Sequence, residues 1–92
     1  MKNILNLVLT NFWFEQIKSG KKTQEYRVAK PYWTKRLGNK KYTYVRFQQA
    51  YRKNAPKIIF EIKNIDLLPS GKNTDLKIDV PVFDITLGNR IE

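Results

Sequence analysis

The first hydrophobic positions alternate. Leu5, Leu7 and Leu9 are separated by Asn6 and Val8, and a period of two predicts a strand with one side in a core. The period then lengthens. In the segment Phe12 to Ser19, Trp13 and Ile17 stand four apart and share a helix face. Thr10 and Asn11 are residues that can cap the start of this helix. Glu15 and Lys18 suit its positive N-terminal and negative C-terminal ends. Gly20 predicts a stop in the left-handed conformation. Thr23 to Arg27 reads as a polar strand with Thr23, Glu25 and Arg27 on one side. Lys30 to Leu37 predicts a second short helix, with Pro31 in its first turn, Trp33 and Leu37 four apart, and Gly38 as its stop.

Gly38-Asn39-Lys40-Lys41 is a predicted turn. Tyr42 to Phe47 alternates again, with Thr43, Val45 and Phe47 on one face and Tyr44, Arg46 and Gln48 on the other. A basic loop runs from Tyr51 to Lys57. Ile58 to Ile65 is the strongest strand, with Ile58, Phe60 and Ile62 opposite Ile59, Glu61 and Lys63. Pro69 to Asn73 is a loop. Leu76, Ile78 and Val80 alternate as a short strand or an extended lead-in, and Phe83, Ile85 and Leu87 form a closing strand. Five to six strands and two short helices give an α+β fold in a single domain, 1–92. A sheet this small manages its edges best by curling toward a barrel, with the helices packed at its side.

Composition narrows the chemistry. A chain of 92 residues with 41% hydrophobic content can bury one core. It contains no cysteine and no histidine, which removes disulfides, a thiolate nucleophile, the commonest general base and the commonest metal ligand. No metal and no cofactor are predicted. The N-terminal apolar run is too short to span a membrane and is interrupted by Asn6. A soluble, cytoplasmic protein, favoured as a monomer, is therefore expected.

The net charge of +10 is unevenly placed: residues 1–60 hold fourteen Lys/Arg against two Asp/Glu, and residues 61–92 hold four against six. Between Gly20 and Lys57, Tyr26, Tyr32, Trp33, Tyr42, Tyr44, Phe47 and Tyr51 are interleaved with the cations. Cations track a phosphate backbone, and aromatic faces stack on unpaired bases. The pattern predicts single-stranded or structured RNA as partner rather than duplex DNA, whose bases stay stacked. A solvated basic surface with its aromatics in the core, or a protein adaptor, would show the same composition. Phe47 and Trp33 in particular suit a core.

One stretch concentrates the candidates. In Gly20-Lys21-Lys22-Thr23-Gln24-Glu25-Tyr26-Arg27, Lys22 sits at a helix-to-strand turn and Glu25 is one of the two acids of residues 1–60. The spacing Gly20-x-Lys22-x-x-Glu25-x-Arg27 resembles the signature of the ASCH family. The preceding strand and helix, Tyr44-Val45-Arg46-Phe47, Tyr51, Ala55-Pro56, the strand Ile58 to Ile65 and the ending Phe83 to Ile91 also resemble that family in order. The resemblance implies a PUA-like β-barrel with a cleft lined by the motif strand. It implies an RNA-binding module or a small hydrolase acting on RNA or on a modified nucleoside. An acetylcytidine amidohydrolase of the group uses a Lys, a Thr and a Glu. Its lysine matches Lys22, but its threonine falls at Glu25, and Thr23 is two positions away. Glu61 is the third member only by elimination.

Lys21, Lys22, Glu25, Tyr26, Arg27, Arg46, Arg52 and Lys53 are thus the predicted nucleic-acid contacts, with Lys22 and Glu25 the candidates for any catalysis. Lys22 would meet a phosphate or a base carbonyl, and Glu25 would accept from a base amino group. Otherwise the two form a plain salt bridge, worth about 0–1 kcal/mol where exposed. Arg27 would line the same face or hold Glu25 in place. Arg46, Arg52 and Lys53 would grip phosphate or remain solvated. A carboxylate beside Lys22 opposes its use as a nucleophilic amine.

Overall fold

The computed structural model describes residues 3–38 and 42–92. In chain order the elements are β1 (Ile4–Leu9), α1 (Asn11–Lys18), β2 (Gln24–Val28), α2 (Pro31–Leu37), β3 (Tyr44–Gln49), β4 (Lys57–Leu68) and β5 (Val82–Arg90). Beyond Gly38, the turn predicted for Gly38 to Lys41 lies outside the described residues.

The five strands form one mixed sheet in the order β1-β3-β4-β5-β2. β1 pairs parallel to β3, and every other pairing is antiparallel. β4 is long enough to pair with β3 through its first half and with β5 along most of its length, and its register shifts between Phe60 and Ile62 and again between Ile62 and Asn64. Such irregularities bend a strand and increase its twist. The result is a small α+β domain whose sheet curls into a half-barrel, with β1 and β2 as its free edges.

The concave side holds the core. Leu5, Leu7 and Leu9 from β1, Val45 and Phe47 from β3, Ile58 from β4, and Phe83, Ile85 and Leu87 from β5 are buried together with Phe14, Ile17 and Leu37. α1 covers this core through Phe14 and Ile17, three apart on one face. The predicted Trp13–Ile17 face is therefore turned by one residue. Three consecutive aromatics, Phe12-Trp13-Phe14, leave the period unable to choose among them, and Phe14 wins the deepest place. Trp13 is half-buried at the helix flank.

Two further expectations are corrected. Thr10 occupies the N-cap of α1 in extended conformation, but neither its hydroxyl nor any other side chain caps the helix. Of the short strand or extended lead-in expected at Leu76, Ile78 and Val80, neither forms: the segment turns on itself, with Lys77 N–H donating to the Thr74 carbonyl and Gly71 N–H to the Val80 carbonyl. Only an isolated bridge joins Ile78 to Gly71, and all three side chains stay partly exposed. The segment 69–81 instead folds as a long loop over the β2 edge.

Candidate functional site

The end of α1 sets the geometry. Gly20 has φ of +83°, the left-handed value that its position predicts. Its N–H donates to the Ile17 carbonyl at 3.2 Å, and the Lys22 N–H donates to the Gln16 carbonyl at 3.0 Å. The chain thus doubles back on the last helical turn and places Lys22 at the mouth of β2. In the strand, Glu25 pairs in register with Ile85. Directly opposed residues share a face, so Glu25 points to the core side and is only 5% exposed. Arg27 follows on the same side.

These side chains interlock. The Lys22 ammonium lies 3.2 Å from Glu25 Oε1 and forms a second ion pair with Asp75 Oδ2. It also stands 4.3 Å from the centroid of the Trp13 ring and 5.6 Å from that of Tyr26. The second oxygen of Glu25 accepts from Arg27 Nε at 3.0 Å and lies 2.7 Å from Arg27 Nη2. Arg27 in turn sits 5.3 Å from the Trp33 ring centroid. Two cations and two carboxylates therefore balance one another between indole faces. The Lys22–Glu25 pair is not the exposed salt bridge that the sequence alone allows, because its two side chains are 14% and 7% exposed.

This cluster lines a cleft of about 450 Å³ between the two sheet edges. Val8 and Leu9 of β1 form one wall. Glu25, Tyr26, Arg27 and Val28 of β2 form the other, and Trp13, Lys22, Lys30, Trp33, Asp75 and Leu76 complete it. Tyr26 belongs to the opposite strand face and reaches the cleft around the edge. Its hydroxyl donates to Gln24 Oε1 at 3.2 Å, and Gln24 Nε2 donates to both oxygens of Asp84 at 3.0 and 2.9 Å. Burial first, then the nearby Asp84 and Asp75 carboxylates, pushes the Tyr26 phenol above its ordinary value, so it stays a donor. Burial likewise raises the Asp84 carboxyl above its usual range. The Gln24 hydrogen bond opposes that shift and the Asp66 carboxylate adds to it.

Of the residues singled out in the sequence, Lys22, Glu25, Tyr26 and Arg27 come together here. Lys21 is exposed in the turn and does not line the cleft. Arg46 lies away from it: its Nη1 donates to Asn6 Oδ1 at 3.3 Å across the β1–β3 pair. Arg52 and Lys53 are exposed in the loop between β3 and β4. Asp75, Trp13 and Lys30 are the members missed. Asp75 stands 53 positions from Lys22, and nothing local marks it among the other acids of the second part. Among the described residues no group of three or more carboxylates could hold a metal ion, and no helix is long and apolar enough to cross a membrane. No family, no curated protein and no solved structure matches the chain.

Proposed function

We propose that the protein is an RNA-binding module of the ASCH type with a PUA-like fold, and that its cleft receives one unpaired base. The observation that supports this most directly is the Lys22 ammonium held between Glu25 and Asp75 beneath the Trp13 ring. A base edge presents carbonyl acceptors and amino donors side by side. An ammonium flanked by carboxylates offers the complementary pair, and indole faces supply stacking. The cluster itself is balanced in charge, which suits a neutral base, while the basic surface of residues 1–60 suits the phosphates. A volume of about 450 Å³ falls within the ~300–1,000 Å³ of small-molecule sites.

Titration of labelled single-stranded RNA at several salt concentrations tests this. Binding is expected with a log–log salt slope of about −0.7 per phosphate neutralised. Lys22→Ala should weaken it by about 1–3 kcal/mol, the scale of a lost charge-assisted hydrogen bond. Absence of binding, or a flat slope, refutes the proposal.

Hydrolysis of a modified nucleoside is the second reading, and Asp75 is what favours it. A carboxylate can activate water while the ammonium stabilises an oxyanion. Against it, Asp75 is ion-paired with Lys22, and Glu25 with both Lys22 and Arg27, so neither carboxylate stands as an uncommitted base. Turnover of acetylcytidine that is abolished by Lys22→Ala would replace binding with catalysis.

A further inference from the structure

Trp33 is the residue of α2 that lines the cleft. Its indole centroid stands 5.3 Å from the Arg27 guanidinium and 5.9 Å from that of Arg36 in α2. Arg36 also stands 5.4 Å from the Tyr32 ring, and that ring meets Trp33 edge-on at 4.9 Å and 86°. Tyr32 is nevertheless 60% exposed. Lys30, which lines the cleft, and Lys35 are exposed on the same short segment. Among the described residues no carboxylate pairs with Lys30, Lys35 or Arg36, and the buried Nε of Arg36 has no hydrogen-bond partner. The sequence contains no Asp or Glu between Glu25 and Glu61, so nothing nearby in the chain neutralises this surface.

We infer that α2 is a second nucleotide subsite: the exposed ring of Tyr32 stacks on the base that flanks the one in the cleft, and Lys30, Lys35 and Arg36 follow the intervening phosphates. The inference rests on the proposed RNA binding and deepens it, because it makes the ligand a strand rather than a free nucleoside. Two features argue for a stacking surface over a plain basic patch. An exposed aromatic is braced edge-on by a second ring that reaches the cleft, so the two faces are held in a fixed relation. The Arg36 guanidinium is held against rings rather than carboxylates, so its charge remains available to an anion.

The test compares homo-hexanucleotides of the four RNA bases with the matching mononucleotides, on the wild type and on Tyr32→Ala, Tyr32→Phe, Arg36→Gln and Lys22→Ala, with melting curves as folding controls. The best hexamer is expected to bind at least about 10-fold tighter than its mononucleotide. Tyr32→Ala should cut hexamer affinity about 5- to 150-fold, the scale of one lost base stack, and leave mononucleotide affinity unchanged. Tyr32→Phe keeps the ring and should bind as the wild type. Arg36→Gln should flatten the hexamer salt slope by about 0.7. Full hexamer affinity in Tyr32→Ala, or an equal loss on hexamer and mononucleotide, overturns the subsite. If Lys22→Ala still abolishes mononucleotide binding in that case, the cleft assignment stands alone. Polyglutamate competing as well as RNA, insensitive to Tyr32→Ala, overturns it in favour of an acidic protein partner. No binding of any RNA overturns both.

Discussion

Glu25 shows how one residue can belong to the fold and to the site at once. Its two oxygens face different cations, Lys22 on one side and Arg27 on the other, and the register that aims it inward also buries it beside Ile85. Removing one member of a buried ion pair leaves the others uncompensated. Because Lys22 and Arg27 keep some exposure, Glu25→Ala is expected to destabilise by about 2 kcal/mol, on the order of 10 °C in melting temperature for a domain of this size. Calorimetry checks this, and a melting temperature unchanged within 2 °C would show that the pairs are screened by water. Lys22, Glu25 and Arg27 were legible in the sequence because the turn and the two-residue period place them locally. Asp75 was not, because only the path of the loop across the β2 edge brings it there.

At the scale of elements, the α1–β2 junction depends on one backbone conformation. A Cβ built on Gly20 meets nothing within 4 Å, so the cost of a side chain there is conformational rather than steric. Gly20→Ala is expected to lose about 1 kcal/mol, Gly20→Val more because branching disfavours positive φ further, and Gly20→Asn less because asparagine tolerates that region. Melting temperatures in any other order would show that the turn rearranges. Gly71 is the opposite case: its Cβ would lie 2.6 Å from Val82 Cγ1 and 3.0 Å from the Ile78 carbonyl, so this loop is fixed by close packing. Alternation identified β1 and β5 because each has a neighbour to pair with and a core to face. The same alternation at Leu76, Ile78 and Val80 gave no strand because the segment makes its backbone bonds with itself, through the turns at Thr74 and Lys77 and the bonds between Gly71 and both Ile78 and Val80.

For the whole molecule, the acidic second part of the chain contributes a pH dependence of its own. Asp84 is buried, and burial raises its carboxyl above the ordinary value of 3.8. The folded state therefore keeps a proton that the unfolded state releases. By linkage, stability falls as pH rises from the unfolded value through the raised folded one. Asp84→Asn removes this contribution while retaining an acceptor for Gln24. Melting temperatures measured from pH 3 to 7 should show the variant gaining on the wild type as pH rises. A constant difference across that range would show that Asp84 titrates normally in the fold. Only the difference between the two proteins isolates Asp84.

The two walls of the cleft are also the two ends of the sheet. A terminal strand leaves one row of backbone donors and acceptors without a partner, and such a row is a template for pairing with the same strand of another copy. Charged side chains turned inward are one of the means by which natural edges resist that addition. In β2, Glu25 and Arg27 are such residues, with Lys22 and Asp75 closing over the strand from turn and loop. The ion cluster that gives the cleft its chemistry thus also makes this edge a poor seed for edge-to-edge aggregation.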